Sequence, residues 1–395
     1  MTAVSAAHIR AIDHLVIGGG LAGAMAALRL AAAGLAVTLV ERESGPHHKV
    51  CGEFLSAEAV AYLHQVGIAP RELGAARIGN VRLSAGDRLI ETPLSFPALS
   101  LSRRVLDEAL LHRAEENGCQ VFRGVGVETL TSDGGQWLVT LRNSESLRAS
   151  NVFLASGKHD LRGFARTSTK QSDLVGFKSH WQLAPAQALT IREYMDLYLF
   201  PGGYGGISRV ENGIANLCLV VRRSVLREHG GWPRLLDSIL RGNRHLRMLL
   251  GGATALTPRP LAVSSIPYGY LARDTGDLWR LGDQAAVIPS FTGDGMSIAL
   301  HSASLAAQMF LAGKSAVDYI AALRAQLRRQ MALATWLSRL CVTRGGRAAA
   351  FAVLPAIPGV LRWIAASTRI PSSSLVLEVG TAAAGKFDNC SKVAL

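Results

Sequence analysis

Hydrophobic and polar positions along the chain change their spacing from one segment to the next. Residues 14–17 and 36–40 are short apolar runs typical of buried parallel strands. Between them, residues 24–33 are rich in alanine and leucine and stop at Gly34, which predicts a helix. The alternation of strand, helix and strand predicts a parallel sheet covered by helices at the start of the chain.

Alternation with a period of two residues characterises the middle of the chain. It occurs in residues 175–183, 195–200 and 213–221, and the glycine-rich residues 201–206 predict a turn. We therefore expect an antiparallel sheet here. After residue 296 the pattern becomes helical, with predicted helices over 298–311 and 316–339.

Composition excludes several classes of protein. The chain has 395 residues, of which 49% are hydrophobic and 18% charged, so it is not a disordered chain. Its net charge of +13 favours anionic partners, but it lacks a zinc finger, an RNP-like aromatic motif and any run of five Lys or Arg residues. We therefore expect no nucleic-acid partner. Five scattered cysteines without metal-ligand spacing predict reduced thiols, no metal site and a cytoplasmic protein.

A glycine-rich turn joins the first predicted strand to the first predicted helix. It contains Gly18, Gly20 and Gly23 in the spacing Gly-x-Gly-x-x-Gly, and Glu41 ends the following strand. Such glycines allow a tight turn, close approach of a pyrophosphate and close packing of helix on strand. The helix N-terminus offers N–H groups to phosphate, and the acid, 18 residues after Gly23, is placed to bind ribose hydroxyls. These parts together predict dinucleotide binding.

A second glycine-rich segment lies far along the chain, from Gly282-Asp283 to Gly293-Asp294-Gly295 and Met296. A strand end, a Gly-Asp turn and a glycine-rich turn before a long helix indicate another loop that contacts phosphate or ribityl groups. A cofactor that spans two such distant segments is more consistent with extended FAD than with NAD.

With Ala155-Ser156-Gly157 between them, these segments resemble the three fingerprints of the FAD-dependent family that contains aromatic-ring hydroxylases, halogenases and geranylgeranyl reductases. The resemblance covers residues ~12 to ~310 and implies FAD as cofactor. It further implies that Gly157 contacts FAD, that Asp283 contacts its ribityl or pyrophosphate region, and that Gly293, Gly295 and Met296 lie near the isoalloxazine. Arg103, in a segment similar to the family's RxxLD, would help to hold FAD, with Arg104 as its competitor.

Two segments favour the reductase branch of this family. The Lys-x-Cys-Gly stretch at 49–52 resembles the loop that lies near the flavin in geranylgeranyl reductases, and residues 200–205 with Asn216 resemble their substrate sheet. The tryptophan-containing signature of tryptophan halogenases is absent. By this resemblance, Phe200, Trp181 and Tyr204 are candidate substrate contacts. Cys51, His48 and Tyr204 are weak candidates for catalysis, Cys51 being either a reactive thiol or a pocket-lining residue.

We therefore predict a mixed α/β protein with a Rossmann-like FAD-binding domain, an inserted antiparallel β-sheet substrate domain and a C-terminal helical cap. The boundaries are 1–85, 100–168 and 276–312 for the FAD-binding domain, 86–99 and 169–275 for the substrate domain, and 313–395 for the cap and tail.

The expected activity is reduction or dehydrogenation of a bulky, largely apolar metabolite, isoprenoid- or polyketide-like, through flavin N5. One alternative is a monooxygenase that uses a flavin C4a-hydroperoxide, and another is an FAD-binding protein without catalytic activity. The electron donor stays open between NAD(P)H and a partner reductase.

The chain begins without the apolar segment of a signal peptide, and no run of about 18 uncharged apolar residues predicts a membrane span. Arginines among apolar residues between 316 and 369 leave two alternatives open. This region either packs as a cap or rests peripherally on an anionic inner membrane surface.

Overall fold

The computed structural model describes residues 9–167, 173–273, 276–353 and 359–377. Its helices are α1 Leu21–Ala32, α2 Ala57–Gln65, α3 Arg103–Glu116, α4 Pro185–Thr190, α5 Arg223–Glu228, α6 Trp232–Gly242, α7 Arg244–Leu249, α8 Gly295–Leu311, α9 Ala316–Cys341, α10 Arg344–Val353 and α11 Gly359–Ser367.

Its strands are β1 Ile9–Ile17, β2 Val37–Glu41, β3 Phe54–Leu55, β4 Ala76–Ala85, β5 Arg88–Ser100, β6 Gln120–Arg123, β7 Val127–Asp133, β8 Gln136–Leu141, β9 Ser146–Leu154, β10 Leu174–Gln182, β11 Tyr194–Phe200, β12 Gly203–Arg209, β13 Ala215–Arg222, β14 Thr254–Ala255, β15 Leu261–Ser264, β16 Tyr270–Leu271, β17 Trp279–Arg280 and β18 Ala286–Val287.

The first sheet has the order β6-β2-β1-β9-β8-β7, and β17 also pairs with β9. Strands β6, β2, β1, β9 and β17 are paired in parallel, whereas β7, β8 and β9 form an antiparallel meander. Helix α1 packs against α3 and α8 on one face of this sheet, over a core rich in alanine and leucine. The βαβ unit predicted from the first forty residues is therefore confirmed.

The second sheet has the order β14-β10-β13-β12-β11-β4-β5-β3, and β15 also pairs with β10. Its pairs are antiparallel except β11 with β4, which is parallel. The mixed α/β class and the inserted sheet agree with the prediction. The predicted boundary at residue 86 needs correction, because β4 pairs with β5 and β11 and so belongs to this sheet.

Strand β12 occupies a stretch that the sequence predicts as a turn over residues 201–206. Only Pro201 and Gly202 turn, and Gly203 is already paired with Val221. A Cβ atom at Gly203 would lie 2.3 Å from the carbonyl oxygen of Val220 and 2.4 Å from the ring of Phe200. Glycine is thus required here because neighbouring strands and side chains come close to its backbone. The sequence pattern alone predicts a turn, because glycine is common in turns.

The two faces of the second sheet pack against different parts of the molecule. One face forms a core with α6 and α7 that includes Phe177, Tyr198 and Leu219. The other face forms a core with α9 and α10 that includes Leu199 and Tyr204. The second face also carries Lys178 and His180 toward the first sheet's loops, so this face borders the candidate site.

The C-terminal region contains the predicted helices, and α11 packs against β5. The predicted tail beyond residue 377 lies outside the described residues. Among the helices described, none is both long and apolar enough to cross a membrane.

Candidate active site

The turn between β1 and α1 has a backbone that only glycine can form. Gly18 has a φ of +102°, and its N–H donates to the carbonyl of Val40 at 2.8 Å. A Cβ atom at Gly23 would lie 1.8 Å from the carbonyl oxygen of Gly18. Gly20 is the N-cap of α1 and has no side chain that could cap the first N–H groups of the helix. This cradle suits a pyrophosphate.

Glu41 lies buried at the end of β2, beside this turn. Its Oε2 accepts the N–H of Gly19 at 2.6 Å and its Oε1 accepts the N–H of Glu43 at 3.0 Å. This carboxylate borders a shallow cleft that is also lined by Gly19, Lys49 and Asp107. The fixed carboxylate at the edge of a cleft is the arrangement needed to bind ribose hydroxyls.

Two cations lie over the start of α1. Arg103 donates to both carboxylate oxygens of Asp107, at 2.6 and 2.9 Å, and Lys49 donates to Asp107 Oδ2 at 2.8 Å. A Cβ atom at Gly20 would lie 3.3 Å from the Arg103 guanidinium and 3.5 Å from the Lys49 ammonium. Burial would raise the pKa of Asp107, but Arg103 and Lys49 hold it below its usual value. Two cations thus share one carboxylate, which leaves positive charge for phosphates. Arg104, the competitor, is exposed.

The Ala155–Gly157 segment and the segment that begins at Gly282 are joined by the buried side-chain amide of Gln284. Gln284 Nε2 donates to the carbonyl of Gly157 at 2.8 Å, and the Gly282 N–H donates to Ser302 of α8 at 2.9 Å. Asp283 lies between them in the chain and is partly exposed. Burial would lower the pKa of Arg103, but Asp107, with a smaller contribution from Asp283, raises it. The three segments therefore surround one site.

The turn before α8 is held in place by Arg369, a residue much later in the chain. Asp294 Oδ1 accepts from Arg369 at 2.7 Å, and Arg369 also donates to the carbonyl of Thr292 at 2.8 Å. A Cβ atom at Gly293 would lie 2.8 Å from the ring of Phe54. Gly295 has open space beside it, whereas the side chain of Met296 is buried in the core, so only its backbone is left for a cofactor.

The loop over residues 46–53 is held between the two sheets. Lys158 donates to the carbonyl of Val50 at 2.6 Å, and Asn216 of β13 donates to the carbonyl of Cys51 at 3.1 Å. The Cys51 sulfur accepts the N–H of Glu53 at 3.3 Å, inside the same turn. Cys51 is therefore a partly buried member of the loop, with its sulfur turned toward the backbone.

A cluster of buried ionisable groups lies where this loop meets β10. Glu53 is 0% exposed, Lys178 1% and His180 7%. Glu53 Oε1 accepts from the Lys178 ammonium and from the backbone N–H of Arg103, the latter at 2.9 Å. Glu53 Oε2 lies 3.5 Å from His180 Nε2, and the ring of His48 lies 4.4 Å from that of His180.

The charges in this cluster shift the proton affinities of its members. Burial would raise the pKa of Glu53, but His180 and Lys178 bring it below its usual value, so the carboxylate is ionised. Burial, together with the nearby His180 and Lys178, lowers the pKa of His48 to about 4. His48 is therefore neutral at pH 7.

Comparison with known proteins identifies this arrangement. Residues 11–154 match the family model described as FAD binding domain. The glycine cradle, Glu41 and the two cations lie within the matched residues, and their geometry suits the dinucleotide that this model describes. The chain is an FAD-dependent oxidoreductase.

Relatives of this oxidoreductase include two curated reductases. The menaquinone reductase of Mycolicibacterium smegmatis is 28% identical over 330 residues, covering 78% of each chain. Digeranylgeranylglycerophospholipid reductase 1 of Methanopyrus kandleri is 29% identical over 331 residues, covering 75% of this chain and 80% of the relative. Among solved structures, the myxobacterial chondrochloren halogenase CndH superposes with a TM-score of 0.72 at 18% identity, covering 91% of each chain, which shows a shared fold.

The predicted substrate contacts of the oxidoreductase lie on different faces of the second sheet. Phe200 and Trp181 pack on the face covered by α6 and α7, away from the cofactor loops, so the structure does not bring them to the site. Tyr204 lies on the other face, where its hydroxyl is 3.4 Å from Ser290 and 3.3 Å from Ser338. Burial raises the pKa of Tyr204 to about 12, so its hydroxyl stays protonated.

Glu53 is a buried residue of the candidate site that the sequence pattern does not single out. The scattered cysteines predict no metal site, yet the ligand atoms of His48, Glu53 and His180 lie close enough together in the fold to hold a metal ion. Two features of the sequence point to this cluster. Glu53 follows Cys51-Gly52 in the loop that the resemblance assigns to the flavin, and Lys178 and His180 are two residues apart and so lie on one face of a strand.

Proposed function

We propose that this oxidoreductase reduces a bulky, largely apolar molecule of the isoprenoid class. Two curated relatives that align over three quarters of the chain are named as reductases, one of menaquinone and one of a digeranylgeranylglycerophospholipid. Both names describe large molecules that are mainly apolar. The proposal is thus a reductase rather than a hydroxylase.

The observation that carries the proposal is the position of the 46–53 loop. The sequence relates this loop to reductases, and Glu53 and Asn216 fix it against β10 and β13. The loop therefore lies between the cofactor cradle and the sheet that the resemblance assigns to the substrate.

In this function the residues of the chain bind, orient and exclude water. Arg103 and Lys49 hold the pyrophosphate region, and Glu41 holds a ribose. Bound FAD, once reduced, supplies a hydride. The buried loop and sheet keep water from the reacting groups, and this protects the reduced cofactor from side reactions.

Anaerobic turnover tests the proposal. The protein is loaded with FAD, reduced with dithionite so that no natural electron donor is needed, and mixed with menaquinone or a geranylgeranylated glycerophospholipid in detergent. Mass spectrometry of the lipid should show the gain of pairs of hydrogen atoms while the flavin absorbance returns. Protein without FAD is the control.

Two results would contradict the proposal. If neither lipid gains hydrogen although the flavin is reduced, the substrate class is wrong. If a lipid gains an oxygen atom when air is admitted to the reduced protein, the monooxygenase alternative is correct.

A further inference from the structure

The buried cluster formed by Glu53, Lys178 and His180 has charge that the fold alone does not need. Removing charged groups from water costs free energy. A protein in which apolar residues of similar volume replace a buried ion pair is often equally stable. Buried ionisable groups beside a cofactor site are more often kept for chemistry. All three residues lie at the junction of the 46–53 loop with the second sheet.

The position of the cluster relative to the cofactor follows from the chain. Glu53 directly precedes Phe54, whose ring is the near neighbour of Gly293 at the start of α8. The family resemblance assigns this turn to the isoalloxazine. Glu53 also has a φ of +58°, a conformation that a residue other than glycine seldom adopts, and it is held there by the Arg103 N–H. The backbone is thus strained to direct this carboxylate into the junction.

Three polar atoms of the cluster converge without hydrogen-bond partners in the part of the chain that the structure describes. They are His48 Nδ1, Glu53 Oε2 and His180 Nε2. The same three residues have ligand types suited to a divalent metal. A dication among them would lie beside the ammonium of Lys178 on the same carboxylate, and its two charges would be repelled more strongly than the single charge of a protonated histidine, which favours a proton-carrying role.

We propose that His180 is the proton source for the reduction and that Glu53 is its positioning residue. This inference rests on the proposed function, in which a carbon–carbon double bond receives a hydride at one carbon. The neighbouring carbon takes a proton from the His180 imidazolium: an N–H bond breaks, and a C–H bond forms with the electron pair of the former double bond. Glu53 Oε2 faces His180 Nε2 at 3.5 Å and so orients the ring, as a carboxylate does for a catalytic histidine.

His48 supplies the route from solvent. It is partly exposed, its ring contacts that of His180, and it is neutral at pH 7, so its ring nitrogens can take up and pass on a proton. After each turnover, His180 is left neutral and regains its proton through His48. Lys178 compensates the charge of Glu53 throughout the cycle.

The test separates proton delivery from electron delivery. The variant His180→Gln is compared with the wild type in two reactions of the dithionite-reduced holoprotein, one with the isoprenoid lipid and one with ferricyanide, which accepts electrons without forming a C–H bond. Reduction of the lipid should fall on the order of a hundred- to ten-thousand-fold, whereas reoxidation by ferricyanide should be unchanged. His112→Gln, on the exposed side of α3, is the matched control and should leave both rates unchanged.

A second readout needs neither activity nor cofactor. In nitrogen-15 NMR spectra of the cofactor-free protein, Nε2 of the His180 ring should carry a proton. Glu53→Gln should change this signal and lower lipid reduction, and Glu53→Asp should restore part of both. An altered spectrum without a slower lipid reaction would show that Glu53 has a structural role only.

The inference is overturned if His180→Gln reduces the lipid at the wild-type rate, or if it loses both reactions equally. A wild-type protein that reduces no lipid contradicts the proposed function instead, while the NMR comparison still tests the pairing of Glu53 with His180. Zinc binding by the wild type that abolishes the Nε2–H signal and is lost in Glu53→Gln would establish a metal site in place of the proton source.

Discussion

Single residues decide whether the cofactor cradle forms. Local motifs such as Gly18–Gly23 can be read from the sequence because their geometry is set by neighbours in the chain. Glu53 and Lys178 are 125 positions apart, and nothing in the local pattern indicates that they pair. Alternation also shows that β10 and β11 have two faces without showing which one borders the candidate site, so it does not reveal that Trp181 and Phe200 lie on the face covered by α6 and α7.

Replacing Gly23 tests the cradle. Gly23→Ala should abolish FAD binding, because its Cβ would lie 1.8 Å from a backbone oxygen that cannot move aside. The visible absorbance of the purified protein, with and without added FAD, measures this. Gly242→Ala, at an exposed position with open space, is the control and should bind FAD like the wild type. A yellow Gly23→Ala protein would contradict the geometry.

The buried Glu53–Lys178 pair should show strong coupling in stability. Glu53→Gln or Lys178→Met alone should lower the free energy of unfolding by about 3–5 kcal/mol, because each leaves a buried charge without its counter-charge. The double variant should lose less than the sum of both, and urea unfolding of cofactor-free protein measures the difference. The exposed pair of Arg113 and Glu116, 2.9 Å apart, should couple by less than about 1 kcal/mol. Additive losses in the buried pair would refute the contact.

Helices and strands were predictable where their pattern is local and long. The predicted α1, α8 and α9 agree with the structure to within a few residues. Strand β12 was predicted as a turn, because its glycines are required by close packing against neighbouring strands, which the sequence does not reveal. The link from Arg369, which follows α11, to the start of α8 is equally hidden in the sequence, although Asp294 stands out as an unusual residue between two glycines.

The contact of Asp294 with Arg369 should make stability depend on pH. Burial raises the pKa of Asp294 to about 7, even with Arg369 2.7 Å away. Because the folded protein holds this proton more tightly than the unfolded chain, its contribution to stability is present below about pH 4 and is lost as pH rises through about 7.

Thermal unfolding of the wild type and of Asp294→Asn across this range measures the effect. The wild type should lose stability relative to the variant as pH rises, because the amide does not titrate. Arg369→Met removes the counter-charge and should move the transition to higher pH. A constant difference between wild type and Asp294→Asn at every pH would show that Asp294 does not titrate there.

The whole molecule combines a positive net charge with exposed aromatic side chains. The charge is +13, and Trp336 and Trp363 are 59% and 61% exposed on α9 and α11. Tryptophan and cationic side chains together favour the boundary of an anionic membrane. A lipid-like substrate would be reached most directly from such a surface.

We therefore expect the protein to sediment with phosphatidylglycerol vesicles at low ionic strength. Binding should decrease steeply as salt is added, because the attraction is screened. Tryptophan fluorescence should shift to shorter wavelength when the vesicles bind. Phosphatidylcholine vesicles are the control. Absence of binding to the anionic vesicles at low salt would leave the C-terminal helices with the role of a cap alone.

The topology of the first sheet also governs the order in which the protein can be made. Strand β1 pairs with β9, and β9 pairs with β17, so the sheet holding the cradle joins segments from both sides of the inserted sheet. On the ribosome, β9 emerges more than 120 residues after the glycine turn, and β17 and the turn before α8 emerge more than 250 residues after it. Contacts between such distant segments form slowly. The apolar segment of β1 and α1 therefore stays without its partners until β17 and α8 are made, and this makes assistance by chaperones and an early supply of FAD important for yield.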